Sequence, residues 1–507
     1  MVLPKKLEEG QAEGTSCRPC VAANVTGTDL CYTDTCTGKS YVHAITINML
    51  PDDILLEIFD SFRKCHNPDS SFTPVWMWYR LVQVCQRWRQ LIFASPRHLD
   101  LQLLCTNGTP VRENLNCWPP FPIAVHYPEY RHLTPYDEEN IFAILNQPGR
   151  IRQIDLTLTG TQLTEVATAM QQLFPVLTHL CLRWADARPP AFPSGFLGGS
   201  APCLQYLYLD SIVFPALTTL FSSTSDLVGL FLIDIPRDGY ISPEAMVACL
   251  AVLPKLNTLN IGFQSFSIGS GRIPPFSRSR TLLPALTSFQ FDGNHGYLEA
   301  LVSRIDCPRL NQITVTYRDQ LHFQATELFQ FLDRSEDLKI SQITHAYMNF
   351  SQFWFTLKTH PHPERSPTLV SVVIKCRRTA TGVSPIAQMF NEPSAMLSRV
   401  AHLRLYRPHP ADASCHPDDW LHLFRQLSAI RTLHISREFS GLVACVLEAV
   451  TGEIIAGVLP VLDFIYLAGL PDSCVEKFLA ARRISVHPVT VIETEAEFDE
   501  RVNSYAE

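Results

Sequence analysis

The sequence predicts an α/β chain: a small all-α module near the N-terminus, then an irregular solenoid with one strand and one helix per repeat, building a parallel curved sheet. Three observations carry that expectation. Residues 50–59 and 81–96 place their apolar side chains at helical spacing. From residue 151 onward a six-residue pattern, apolar-x-x-apolar-x-apolar, returns at near-regular intervals. Finally, 46% of the 507 residues are hydrophobic against 18% charged, enough apolar material for a large buried core.

The helical module comes first. Residues 50–59 read Leu-Pro-Asp-Asp-Ile-Leu-Leu-Glu-Ile-Phe. Pro51 suits the first helical position, where its missing N–H costs nothing. Asp52 and Asp53 then sit in the first turn, where carboxylates complement the positive end of the helix dipole. Ile54, Leu55, Ile58 and Phe59 form one apolar stripe. In the second segment Leu81, Val84, Cys85, Trp88 and Ile92 follow helical spacing, and Ser95-Pro96 stops the helix. Two helices this short cannot bury their apolar faces unaided; they need each other and a partner.

Taken together, these residues resemble an F-box: Leu-Pro-x-x-Ile-Leu-x-x-Ile-Phe, followed by Val-Cys-x-x-Trp and Ser-Pro. The resemblance spans residues 47–100. Its one departure is the polar insert at 66–74, longer than a minimal F-box allows. The resemblance implies docking on a Skp-type adaptor, and through it on a cullin, by Leu50, Pro51, Ile54, Leu55, Ile58, Phe59, Val84, Cys85 and Trp88. It further implies an SCF-type ubiquitin ligase in which this chain chooses the substrate.

The repeats start at Ile151, Leu177, Leu204, Leu227, Leu256, Leu286, Leu310, Leu369, Val400, Ile430 and Leu462, with a degraded copy at Leu338. Each predicts a short strand whose first, fourth and sixth residues face inward. Helical stretches are expected between several strands, at 164–174, 243–253, 297–305 and 418–427. A strand plus a helix cannot bury its own face, so neighbouring units must stack. The period resembles that of leucine-rich repeats, although the Asn that normally follows the strand is absent: Ala185 and Ile212 stand there. In such a solenoid the third and fifth residues line the concave face. The fifth slots hold Cys181, Tyr208, Phe231, Asn260, Gln290, Thr314, Arg404, His434 and Tyr466, and Tyr206 and Phe464 hold third slots. Aromatic and Arg side chains dominate binding hot spots, which makes Tyr206, Tyr208, Phe231, Arg404 and Tyr466 the candidate contacts to a protein substrate.

The remaining features mostly exclude. A net charge of −8 without a long basic run argues against nucleic acid. No signal peptide is read at residues 1–10, and the apolar stretch 441–460 is broken by Glu448 and Glu453, so no membrane partner is expected. A cytoplasmic or nuclear protein follows. Of the sixteen cysteines, Cys17, Cys20, Cys31 and Cys36 approach zinc-ligand spacing. Their small polar surroundings and the wide second pair favour a reduced, metal-free tail instead. Thr37-Gly38-Lys39-Ser40 lacks the first glycine of a phosphate-binding loop. The cluster of His409, Cys415 and His416 lies among prolines that mark a solvated loop. No catalytic, cofactor or metal site is expected, and the chain reads as a non-enzyme.

The expected organisation is a disordered tail at 1–46, the F-box at 47–100, a Pro- and aromatic-rich connector at 101–150, the solenoid at 151–490 and an acidic tail at 491–507. Two other functions share these features or compete with them. One is a non-catalytic protein-interaction scaffold without ligase function; the other is an enzyme on an irregular βα fold, which would need a cleft of convergent His, Cys and carboxylate groups.

Overall fold

The computed structural model describes residues 47–65, 77–96, 99, 101–116, 120–128, 133–184, 191–264, 280–318, 325–338, 343–350, 354–360, 370–375, 397–406, 417–436, 457–468, 476–485 and 488–494. The cysteine group at 17–36, the polar insert at 66–74, the glycine-lysine segment at 37–40 and the His409/Cys415/His416 cluster lie outside them. The chain divides into two units, residues 1–68 with 81–99, and residues 69–80 with 100–507.

Helix α1 (Asp52–Cys65) begins where the proline and the acidic pair require: the Leu55 N–H donates to the Pro51 carbonyl at 3.1 Å, and Asp52 and Asp53 fill the first turn. The single helix expected over 81–92 is instead two, α2 (Met77–Val82) and α3 (Gln86–Ala94), separated by a turn. The physical reason is a cap. Cys85 is extended, at φ −156° and ψ 171°, and its Sγ accepts the Trp88 N–H at 3.5 Å, opening α3. The Cys-x-x-Trp spacing is therefore a helix start. Ser95 closes α3, its N–H donating to the Ile92 carbonyl at 3.1 Å.

The second unit is organised by a 16-stranded sheet. In its first part the chain runs β1 (Leu103–Cys105), β2 (Ile123–Tyr127), β3 (Ile151–Leu158), β4 (His179–Trp184), β5 (Tyr206–Asp210), β6 (Gly229–Ile235) and β7 (Thr258–Phe263). It continues through β8 (Thr281–Leu282), β9 (Ser288–Gly293), β10 (Ile305–Asp306) and β11 (Gln312–Arg318). All are parallel and adjacent in chain order, except that β8 and β10 pair separately with each other. Helices α4 (Val111–Asn114), α5 (Pro135–Leu145), α6 (Gly160–Ala169), α7 (Leu217–Phe221), α8 (Pro243–Leu250), α9 (His295–Val302) and α10 (Thr326–Arg334) intervene. Several start where the sequence supplies a cap: Thr134 and Ser242 accept from the Asp137 and Ala245 N–H groups, each with a proline next in line. A Thr159/Gln162 capping box starts α6 four residues earlier than the sequence suggested.

The repeat register is kept strand to strand. Ile154, Leu180, Leu207, Leu230, Leu259, Phe289 and Ile313, the fourth residue of each unit, are Cα partners in one row across β3 to β11. All are fully buried, so each repeat covers the apolar face of the next.

Four expectations need correction. Residues 101–150 are not a connector: β1 and β2 extend the sheet and α5 packs below it, because Ile123, Val125, Tyr127, Ile141 and Ile144 are as buried as the repeats. Strand β18 (Thr490–Thr494) pairs with β17 (Phe464–Ala468), so the sheet reaches four residues into the expected tail. The starts at Leu338 and Leu369 are not successive parallel repeats. Beyond β11 the chain forms β12 (His345–Phe350), β13 (Trp354–His360) and β14 (Val370–Lys375), whose order in the sheet is β11-β14-β13-β12-β15, where β15 is His402–Tyr406. The fourth correction follows: β13 is antiparallel to both neighbours, so the sheet is mixed rather than parallel throughout. Connection length explains it: three residues separate β12 from β13, too few for a parallel crossover, and Ala346, Met348 and Leu357 are buried as in the repeats. Parallel pairing resumes with β15, β16 (Thr432–Ile435), β17 and β18.

Candidate functional site

In the helical unit the nine residues named from the F-box resemblance separate by burial. Leu55 (0% exposed), Phe59 (1%) and Trp88 (8%) form the unit's own core, with the Phe59 and Trp88 ring centroids 4.6 Å apart. They hold α1 against α3 and are not surface groups. Ile54 (44%), Ile58 (39%) and Val84 (59%) are exposed, Pro51 is exposed, and Leu50 and Cys85 are half-buried. Ile54 and Ile58, one turn apart, share a face of α1. Ile47 and Met49, which sequence reasoning did not single out, are exposed as well. With Phe93 on α3, six large apolar side chains among the described residues of so small a unit are exposed, which marks an interaction surface. Arg87 fixes its geometry: the guanidinium donates to the Leu50 carbonyl (2.6 Å) and to Asp52 Oδ1 (2.6 and 3.2 Å), tying the start of α1 to α3.

In the sheet unit the candidate residues lie on the face turned away from the core, and they fall into two groups. Tyr206, Tyr208 and Phe231 lie together on β5 and β6. The His179 ring stacks on Tyr206 at 4.6 Å, and Tyr208 and Phe231 are 5.9 Å apart. Gly229 makes room for them: a Cβ there would lie 2.6 Å from Tyr206 Cδ1 and 2.9 Å from Phe231 Cε2. Arg183 sits 4.9 Å above the Tyr208 ring and donates to Asp155 at 2.6 Å. Burial pushes the Asp155 carboxyl up, but the His126 hydrogen bond and the Arg183 charge outweigh it and hold it below the ordinary carboxylate value. Cys181, also a fifth-slot residue, is buried and its thiol is pushed well up by that burial and by Asp155. Further along, Arg318 holds Asp292 (2.7 Å) and Asp234 (3.1 Å); Asp234 has a left-handed backbone with φ 45°.

Arg404 and Tyr466 belong to the second group. Arg404, His434 and Tyr466 are register partners on β15, β16 and β17, and the His434 ring stacks on Tyr466 at 4.2 Å and 3°. The inserted strands add residues that the repeat pattern missed: Tyr347 pairs with Arg404 on one side and with Lys358 on the other, and His345 stacks on His402 at 4.3 Å. The period-two alternation at 345–350 was the signal that could have found them. Burial, reinforced by Arg404, His402 and His345, pushes the His434 imidazole down to about 4. Among the described residues no three His, Cys, Asp or Glu side chains are grouped to hold a metal ion, and no helix is long and apolar enough to cross a membrane.

The F-box-like family matches residues 47–99. No curated protein matches the chain. A solved structure of the leucine-rich repeat-containing protein LegL7 from Legionella pneumophila is similar over 73% of this chain and 90% of that one, at 14% identity and a TM-score of 0.23. That likeness is too weak to support an argument, and the repeat architecture rests on the register and burial described above. The chain thus joins an F-box-like domain, residues 47–99, to a leucine-rich-repeat-like unit of stacked strands.

Proposed function

We propose that this chain is the substrate-recognition subunit of an SCF-type cullin–RING ubiquitin ligase. F-box domains are protein-interaction modules that generally bind Skp-type adaptors. The observation that carries the reading is the F-box-like match at residues 47–99 coinciding with exposed Ile54, Ile58 and Val84. These residues, with Leu50 and Pro51, would meet the adaptor and through it a cullin, while Leu55, Phe59 and Trp88 keep the helices in place. The outward sheet face, with Tyr206, Tyr208, Phe231, Arg404 and Tyr466, would hold a protein substrate. The chain itself would make or break no covalent bond; it would act by proximity, raising the local concentration of a substrate lysine near the charged ubiquitin carrier. Such a role places it in the cytoplasm or nucleus.

Co-purification of the full chain with a Skp-type adaptor tests this, beside the double variant Ile54→Glu/Ile58→Glu. Capture by the intact chain and its loss in the variant, with an unchanged melting transition, is the expected result. No capture by the folded intact chain would sink the ligase reading. A ubiquitination assay on the captured complex then separates a ligase subunit from an adaptor-binding scaffold.

A further inference from the structure

The six adjacent strands β4, β5, β6, β7, β9 and β11 carry three carboxylates, Asp210, Asp234 and Asp292, and two guanidinium groups, Arg183 and Arg318. Both guanidinium groups are committed. Arg183 reaches back to Asp155 on β3 at 2.6 Å, and Arg318 holds Asp292 at 2.7 Å and Asp234 at 3.1 Å. Asp210 forms no salt bridge among the described residues. Its Oδ1 accepts the Ser211 hydroxyl at 3.0 Å, which leaves Oδ2 open, and the residue is half-buried. Burial, helped by the charge of Asp234, holds its carboxyl above the ordinary value, although the Ser211 hydrogen bond and Arg183 oppose the shift.

That carboxylate stands beside an aromatic ring. Tyr208 and Phe231 are Cα partners on β5 and β6, and Asp210 follows Tyr208 on the same face of β5. Phe231 is therefore its diagonal neighbour, about 8 Å away at the usual strand dimensions. The Phe231 ring is half-buried and tilted 32° to Tyr208, and no side chain rises from Gly229 beside it. Asp234, whose side chain is 40% exposed and whose charge is felt by Asp210, adds a second carboxylate nearby.

We propose that Asp210 and the Phe231 ring receive an arginine side chain from a basic segment of a protein partner. The inference rests on the outward sheet face being a substrate-binding surface, and adds the chemistry of what binds. The fold shows the same arrangement already filled one strand away. Arg183 donates to Asp155 and lies 4.9 Å from the centre of the Tyr208 ring, so carboxylate, guanidinium and ring all come from this chain. At Asp210 and Phe231 the carboxylate and the ring are in place and the guanidinium is missing. Charge complementarity agrees: carboxylates outnumber guanidinium groups on these six strands, and one of the two guanidinium groups is spent on β3, so an incoming cation is attracted and an anion repelled. Arginine suits the site better than lysine. Its planar group can stack on a ring and pair with a carboxylate in one pose, whereas an ammonium is a strongly hydrated point charge.

The test uses the full chain and three fluorescein-labelled peptides of equal length, in which Gly and Ser alternate with Arg, with Lys or with Glu. The Arg peptide should bind best, with affinity falling as salt is raised, and the Lys peptide about threefold more weakly. Asp210→Asn, which keeps the shape and removes the charge, should weaken the Arg peptide by about tenfold. Asp333→Asn, the same change at an exposed position on α10, should leave it unchanged. Phe231→Leu, which keeps an apolar side chain and removes the ring, should weaken it by about threefold and gives an independent reading should Asp210→Asn unfold. Arg-peptide binding no tighter than that of the Lys or Glu peptide, or binding left intact by Asp210→Asn or by Phe231→Leu, would overturn the proposal. Adaptor capture is measured on the same samples: its failure with Arg-peptide binding retained would remove the ligase reading and leave this one standing.

Discussion

In the sheet, Leu230 meets Leu207 on one neighbouring strand and Leu259 on the other, and all three are closed off from water. In the helical unit, Leu55 and Phe59 are equally closed off, but Ile54 and Ile58, on the same helix, keep 44% and 39% of their surface in water. The residue types are alike and the helical stripe is continuous; what differs is the supply of cover. A repeat finds its cover in the next repeat, so a row of apolar residues is buried at every strand. Two short helices have one face to offer each other, and the rest of their apolar surface is left for another molecule. An exposed apolar stripe beside a well-packed core is therefore a statement about partners.

That comparison breaks if the exposed side chains carry as much folding energy as the buried ones. Leu230→Ala should cost about 3 kcal/mol in urea unfolding, the usual loss for a buried leucine in a well-packed core, while Ile54→Ala should stay within about 0.5 kcal/mol. Trp88→Ala should cost a similar 3 kcal/mol or more because it removes the partner of Phe59, and it should lose adaptor capture through loss of the fold. Ile54→Glu/Ile58→Glu should lose capture alone. Circular dichroism melts beside the pull-down distinguish the two, and a variant pair that failed in the same way would erase the distinction.

A smaller effect sharpens the picture on the buried side. Glu299 on α9 accepts the Glu327 and Leu328 N–H groups at 2.8 and 3.2 Å and so caps α10. Burial nonetheless pushes its carboxyl up to about 7. The native state then keeps a proton that the unfolded chain, titrating near 4.5, has released, so stability should fall as pH rises from about 4.5 to 7. Glu299→Gln should flatten that slope in denaturant titrations at several pH values; an unchanged slope would assign it to other groups. Arg87→Ala should also have a small effect. The Arg87–Asp52 pair is partly exposed, so its removal should cost under about 1 kcal/mol, read as a small shift in melting temperature.

Much of this was legible in order along the chain. Leu50-Pro51-Asp52-Asp53 marks a helix start because proline and carboxylates satisfy its unpaired N–H groups locally. The repeat pattern marks the inward row because strand alternation is a local rule. The inserted hairpin was not legible as a repeat: the strand that follows Leu369 does pair in parallel with β11, but β12 and β13, at 345–360, carry no copy of the pattern and alternate with period two. Strands β1 and β2 were hidden by the prolines around them, and β2 lacks a clean alternation because Ala124 is buried along with Ile123, Val125 and Tyr127.

The sequence by itself determined the two kinds of unit, the inward residue of nearly every strand, and the residue types on the outward face, because these depend on backbone periodicity and on side chains within one turn or one strand. Only the tertiary structure decided which F-box residues are core and which are surface, since that depends on whether α3 lies against a given side of α1. It alone brought Lys358 and Tyr347 beside Arg404, because strand order in a sheet is chosen by which edges find apolar cover, and chain order does not dictate it.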